Sequence, residues 1–180
     1  MSIAFATRKA RSFPGSLGGG LALTAMLVLT PSALRAQDGT LAIGARAPAV
    51  VVHDLDGKPV DIGQFIGKKP MLLEFWATWC ERCEELLPRV RSAQAEFGDR
   101  VEFFGVNVAV NQTPDRVKRW VEANKPPFTT LYDDQGTSTR AYFAPTTSYV
   151  VVVDRMGKVA YTGTGGTQDI SAVLRTVAAK

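Results

Sequence analysis

The sequence contains few cysteines and histidines, the side chains that form structural zinc sites. It has two cysteines, Cys80 and Cys83, and a single histidine, His53, which lies well apart from them along the chain. A structural zinc site needs four such ligands, and one Cys-x-x-Cys pair supplies only half of them. We therefore predict that the protein holds no metal and no other cofactor.

The sequence also lacks an excess of charge of one sign beyond its first 36 residues. The chain has 21 lysines and arginines against 17 acidic residues, which gives a formal net charge of +4. Four of the basic residues and none of the acidic ones lie before residue 37, so the rest of the chain is neutral overall. A nucleic-acid partner calls for a basic surface. We predict no such partner.

An apolar run of the roughly 20 residues that a transmembrane helix needs is missing as well. The apolar stretch 17–29 follows three basic residues and precedes a small-residue segment that ends at Ala36, which is the order of a secretory signal. We expect cleavage after Ala36 and export, to the periplasm in a Gram-negative cell. The alternative is that residues 1–36 stay as an N-terminal membrane anchor. A lipid anchor is excluded because the leader has no cysteine.

Residues 37–180 show no repeat and no low-complexity segment, and we interpret them as a single α/β domain. Strand and helix patterns alternate with short connections. We predict a hairpin at 48–54 and around Val60, strands at 70–75, 101–108 and 128–131, and a second hairpin at 148–153 and 158–162. Helices are predicted at 81–97, after a Thr113 cap followed by Pro114, and after a Thr167 cap. The short segment 137–143 is left without an assigned element.

The two cysteines form the sequence Cys80-Glu-Arg-Cys83 directly after the apolar strand 70–75. A cysteine at the start of a helix has a lowered pKa, because the positive end of the helix dipole stabilises the thiolate. Cys80 is therefore the predicted nucleophile, and Cys83 the thiol that resolves a mixed disulfide. The alternative is an inert structural disulfide, which would restrict the unfolded chain little across so small a loop.

Glu74 stands in the middle of the apolar strand before the cysteines. An acid is costly to bury there, and a buried carboxyl with a raised pKa can exchange a proton with a neighbouring thiol. We predict that Glu74 exchanges a proton with Cys83. The alternatives are that its side chain reaches solvent at an edge or pairs with a lysine.

The segment Phe75-Trp-Ala-Thr-Trp-Cys-Glu-Arg-Cys83, followed later by Ala144-Pro-Thr-Thr147, a valine-rich strand and Asp154-Arg-Met-Gly157, resembles the TlpA/ResA group of thiol-disulfide oxidoreductases. This group belongs to the thioredoxin superfamily, with a domain of the AhpC/TSA-Redoxin type. The resemblance covers about residues 41 to 178. It implies a thioredoxin-like fold: a central mixed β-sheet with helices on both faces and an added N-terminal β-hairpin.

The resemblance also implies roles for individual residues. Glu74 would lie beneath the dithiol, and Pro145 would be cis and face the two sulfurs. The backbone on either side of Pro145, at Ala144 and Thr146, would contact an extended stretch of substrate. Trp79, next to the nucleophile, would form part of an exposed apolar contact surface.

Two positions depart from the family pattern. Arg82 stands where a proline is common before the second cysteine, and Leu86 stands where a glutamate is common three residues after it. Glu85 is one position away and points to a different side of the helix. The proton role would then fall on Glu74 alone.

The predicted function is an exported reductase of protein disulfides that works by dithiol exchange, with cytochrome c maturation as one setting the resemblance suggests. Its partners would be disulfide-bearing proteins and a membrane thiol reductase that supplies electrons, and we expect a monomer. The enzymatic alternative is a disulfide-forming oxidant or isomerase. The non-enzymatic alternative is a binding module on a thioredoxin scaffold.

Overall fold

A computed structural model of the protein describes residues 41–178. Its helices are α1 (Glu81–Phe97), α2 (Pro114–Asn124), α3 (Thr137–Ala141) and α4 (Ile170–Ala178), and a 3-10 turn covers Ile62–Gln64. Its strands are β1 (Val51–His53), β2 (Pro59–Asp61), β3 (Met71–Trp76), β4 (Glu102–Asn107), β5 (Thr129–Tyr132), β6 (Tyr149–Val153) and β7 (Val159–Thr164).

The seven strands form one mixed sheet in the order β2-β1-β5-β4-β3-β6-β7. β3, β4 and β5 are parallel, and the helices α1 and α2 supply the crossovers that parallel strands require. β6 runs antiparallel to β3 and forms a hairpin with β7, while β1 and β2 form the N-terminal hairpin. The predicted mixed sheet with an added hairpin is confirmed.

The central strand β3 is buried on both faces, so its side chains divide between two cores. Leu73 and Phe75 face a core that includes the N-terminal hairpin, the 3-10 turn and the segment after α3. Leu72 faces the other core, which is built with α1 and α4, and Trp76 continues this face towards α2. Helices therefore cover both faces of the sheet, as predicted.

The helix α1, which begins directly after Cys80, has the predicted bounds. Its apolar residues recur at helical spacing and are buried against the sheet, namely Leu86, Val90, Ala93 and Phe97. Gly98 follows the last turn, and its backbone N–H donates to the carbonyl of Gln94 at 2.7 Å. The cap of α2 is also as predicted, because the Thr113 side chain accepts from the Arg116 N–H at 3.3 Å.

The predicted cap of the last helix is wrong. The helix α4 begins at Ile170, and the Asp169 carboxylate accepts the N–H of Ala172 at 3.0 Å. Thr167 lies two residues earlier and is exposed. Threonine and aspartate both cap helices well. The helix begins after Asp169 because its side chain reaches the N–H of the third helical residue, Ala172.

The leader predicted for residues 1–36 lies outside the described residues. From residue 41 to residue 178, none of the helices is both long enough and apolar enough to cross a membrane.

Candidate active site

The two cysteines are joined by a disulfide at the point where β3 gives way to α1. The S–S distance is 2.11 Å, and the two Cα atoms are 5.3 Å apart. Cys80 is the N-cap of α1, and its Sγ accepts the backbone N–H of Cys83 at 3.1 Å. The Cys80 sulfur therefore lies at the helix N-terminus, where unpaired N–H groups and the dipole favour a thiolate.

Cys80, but not Cys83, lines a shallow surface cleft of about 290 Å³. The other lining residues are Trp79, Glu81, Arg82, Thr146 and Thr147. The ladder between β3 and β6 explains this meeting, because it is antiparallel and pairs Phe75 with Tyr149. The residues after β3 and those before β6 therefore lie at the same end of the sheet. Both cysteine side chains are buried, at 5% and 6% exposed, and of the two only Cys80 lines the cleft.

The segment before β6 lies near the dithiol, but only some of its residues line the cleft. Thr146 and Thr147 line the cleft, whereas Pro145 is exposed and is not among the cleft residues. Ala144 is half-buried and packs against the core beneath. Thr147 was not predicted as a contact residue, because only the register between β3 and β6 brings it to the cleft. The cis conformation of the Ala144–Pro145 bond stays a prediction.

Trp79 has the exposed position predicted for a contact residue. Its side chain is 45% exposed, and its Nε1 donates to the carbonyl oxygen of Val110 at 2.9 Å. Val110 is itself 56% exposed, so the two side chains form an apolar surface next to the cleft. The Thr78 N–H donates to the Gln112 side chain at 3.1 Å, which ties the same two loops together. Val110 was missed because it lies on a different loop of the chain.

Glu74 lies in the core, on the same face of β3 as Leu72 and Trp76, and its side chain is 2% exposed. Its ladder neighbours are Gly105 and Val150. Burial raises the pKa of its carboxyl to about 8. Its Oε2 has no hydrogen-bond partner, and none of the ion pairs formed within residues 41–178 includes it. The alternatives of a solvated edge or a lysine partner are therefore wrong.

Three aromatic side chains pack together near Glu74 and make its surroundings apolar. The Trp76 ring lies 4.5 Å from the Trp120 ring and 5.8 Å from the Phe128 ring, measured between centroids. Phe128 also covers Gly105, where a Cβ would come within 2.2 Å of the ring. Trp76 is a core residue. Glycine at position 105 lets the aromatic group close over the strand beside the carboxyl.

The first turn of α1 carries more negative than positive charge. Glu81 and Glu84 are its acidic residues, and Arg82 is exposed beside them. Leu86 is fully buried, so this departure from the family pattern serves the core. The Glu85 carboxylate lies against Gly166 in the β7–α4 loop, where a Cβ would come within 2.1 Å of Oε2. It points away from the position that Leu86 occupies.

Metal ligands do not gather in the described part of the chain. From 41 to 178 there is no group of three histidine, cysteine, aspartate or glutamate side chains that could hold an ion. His53 lies in β1, and its Nδ1 lies 3.1 Å from Oδ1 of Asp134. The absence of a metal or other cofactor from the working protein stays a prediction.

Comparison with known proteins agrees with this site and fold. The family model described as Redoxin matches residues 42–177. The thiol-disulfide oxidoreductase ResA of Bacillus thuringiensis subsp. konkukian is 30% identical over 124 residues, which are 68% of this chain and 70% of that protein. ResA of Geobacillus thermodenitrificans is 29% identical over 140 residues, 76% of this chain and 79% of the relative.

A solved structure shares the architecture. It is the Chlorobium tepidum protein assigned as thiol:disulfide interchange protein DsbE, with a TM-score of 0.67 and 25% identity. The match covers 78% of this chain and 98% of that one. The thioredoxin-like fold predicted from the resemblance is confirmed. The chain therefore belongs to the Redoxin family, among the relatives of the ResA-type thiol-disulfide oxidoreductases.

Proposed function

We propose that this protein is an exported disulfide reductase that acts on proteins by dithiol exchange through Cys80 and Cys83. The observation that carries the proposal is the position of the Cys80–Cys83 disulfide at the N-terminus of α1. Cys80 lines the cleft, and Cys83 lies one turn further into the helix and does not line it, although the two side chains are similarly buried. We infer that Cys80 reacts with the partner first and that Cys83 then displaces it.

The reaction begins from the reduced protein. The Cys80 thiolate attacks one sulfur of the substrate disulfide, a mixed disulfide forms, and the other substrate sulfur leaves as a thiolate. Cys83 then loses its proton and attacks the Cys80 sulfur, which releases the second substrate thiol and closes the Cys80–Cys83 disulfide. Two electrons and two protons pass to the substrate. A thiol donor, which we propose is a membrane thiol reductase, restores the dithiol.

Glu74 is the proposed proton acceptor for Cys83. Its carboxyl is buried on the face of β3 against which α1 packs, and its pKa of about 8 suits proton exchange with a thiol near neutral pH. The carboxyl can take this proton only when it is ionised, which is the case in a minority of molecules at neutral pH and in half of them near pH 8. With Leu86 in the core, the first two turns of α1 offer no buried acid for this role.

The charges at the first turn of α1 act on a Cys80 thiolate in opposite directions. A disulfide is a strong oxidant when the reduced form, and above all the thiolate, is strongly stabilised. Glu81 and Glu84 oppose a thiolate on Cys80, whereas Arg82 and the N-terminus of the helix favour it. Reduction is proposed as the direction because the resemblance to the TlpA/ResA group implies it. Cytochrome c maturation is one setting that would use the electrons.

Two measurements test the proposal. Equilibration with dithiothreitol redox buffers should give a reduction potential nearer to about −270 mV, as in thioredoxin, than to the −120 mV of a strong oxidant. In cells, Cys83→Ser should accumulate mixed disulfides on Cys80, and the matched control Cys80→Ser should accumulate none. A potential near −120 mV would support the oxidant or isomerase. No trapped partner would support a binding module that does not use its thiols.

A further inference from the structure

Ser148, the residue directly before β6, has an unusual backbone conformation. Its φ is +56°, and it is fully buried. Residues other than glycine rarely adopt this left-handed conformation, because their Cβ crowds the following carbonyl oxygen. A buried serine keeps it only when its surroundings hold it there.

A group of hydrogen bonds holds Ser148, and we call it the Ser148–Gln168 network. The Gln168 Nε2 donates to the carbonyls of Ser148 at 3.1 Å and of Gly165 at 2.7 Å, and its Oε1 accepts from the Tyr161 hydroxyl at 3.0 Å. The Gly165 N–H donates to the Ser148 Oγ at 3.0 Å. Gln168 is 8% exposed and its bond to the Ser148 carbonyl is buried, so breaking that bond would leave buried polar groups without partners.

The Ser148–Gln168 network lies next to the cleft along the chain. Phe75 pairs with Tyr149 at the last step of the β3–β6 ladder, so Ser148 lies at the end of the sheet from which β3 leads to the nucleophile. Thr146 and Thr147 come immediately before Ser148 and line the cleft with Cys80. The left-handed turn at Ser148 therefore sets the direction in which these two residues leave the sheet. Pro145 is exposed and lies further from this turn along the chain.

We propose that Ser148 and Gln168 are positioning residues, which hold the backbone of Thr146 and Thr147 so that an extended polypeptide carrying a disulfide can lie along it. The proposal rests on the proposed function, since it names how that site holds its substrate. A polypeptide substrate binds along the backbone of Thr146 and Thr147, so its binding depends on the position of these residues. A small disulfide without peptide bonds needs only the Cys80 sulfur.

The test compares two oxidants of the pre-reduced protein, insulin as a protein disulfide and cystamine as a small disulfide without peptide groups. Gln168→Leu removes the two donors to the loop and keeps the side-chain volume. We expect the insulin concentration at half-maximal rate to rise by about fivefold or more, with the limiting rate changed little. The rate with cystamine and the reduction potential should stay as in the wild type.

Tyr142→Phe is the matched control. The Tyr142 hydroxyl donates to the Pro48 carbonyl at 2.8 Å in the core on the opposite face of the sheet, so this variant also loses a buried hydrogen bond. It should behave as the wild type with both oxidants. If Gln168→Leu does not fold, Tyr161→Phe removes one bond of the same network and should shift the insulin dependence in the same direction.

The outcomes separate the two proposals. A wild-type protein that exchanges with neither disulfide contradicts the proposed function itself. A wild-type protein that is active, with a Gln168→Leu variant that is unchanged with insulin or equally impaired with both oxidants, overturns the positioning role alone. A changed reduction potential in Gln168→Leu would also overturn it, because the network would then act on the dithiol.

Discussion

At the scale of single residues, the burial of Glu74 has a direct consequence for how stability depends on pH. Its carboxyl is buried without a hydrogen bond to Oε2, and its pKa is raised from the usual 4.5 to about 8. The folded protein therefore binds this proton more tightly than the unfolded chain does. Its contribution to stability is complete below pH 4.5 and is lost as pH rises from there to about 8.

We expect Glu74→Gln to remove this pH dependence. The amide has nearly the same shape and carries no charge, so the variant should be more stable than the wild type at pH 8, by roughly a few kcal/mol. Near pH 4 the two proteins should be similar. Urea unfolding of the oxidised proteins at several pH values measures the difference. The exposed control Glu122→Gln should show the pH dependence of the wild type. If the free energy of unfolding changes with pH equally in the wild type and both variants, the raised pKa does not belong to Glu74.

The same substitution should slow resolution of the mixed disulfide. The amide of Glu74→Gln cannot take the proton of Cys83, so release of a partner from Cys80 should slow by about 10²-fold at neutral pH, the usual scale of general-base catalysis. The first attack by Cys80 should keep its rate. Rapid quenching with separation of the mixed disulfide resolves the two steps. An unchanged release rate would leave Glu74 with no part in proton transfer.

At the scale of the elements, local sequence patterns predicted the helices and strands well where the periodicity was long. The bounds of α1 follow from the spacing of Leu86, Val90 and Phe97, and Thr113 with Pro114 marks the start of α2. The start of α4 could not be read in this way. Both Thr167 and Asp169 can cap a helix, and the choice depends on how the β7–α4 loop packs.

The caps of α4 can be tested as a pair. Asp169→Ala should lower the free energy of unfolding by about 1 kcal/mol, because the Ala172 N–H loses its acceptor. Thr167→Ala should leave it within about 0.5 kcal/mol of the wild type, as is usual for exposed sites. Chemical denaturation of both variants measures this. If Thr167→Ala lowers the free energy of unfolding more than Asp169→Ala does, Thr167 is the cap of α4.

At the scale of the whole molecule, the three apolar clusters are made of residues between Leu41 and Ala178. We propose that residues 37–180 are the working domain after export and cleavage at Ala36, the site that the leader pattern predicts, and that this domain is monomeric.

A chain that begins at Gln37 should unfold cooperatively and reduce insulin at the rate of the full chain, because it holds all three clusters and the site. Mass spectrometry of the exported protein should find the same N-terminus. A mature protein that keeps residues 1–36 in the membrane fraction would support the anchor. A truncated chain that fails to fold would contradict the domain boundary.

The sequence by itself determined the dithiol, the alternation of strands and helices, and the family, because these depend on spacings within short stretches of chain. Only the tertiary structure decided which residues face Cys80 and what surrounds Glu74. Thr147 reaches the cleft through the pairing of β6 with β3, and Gln168 reaches Ser148 through the hairpin and the loop after β7. Such contacts depend on strand register and packing between distant segments, and no local pattern in one sequence records them.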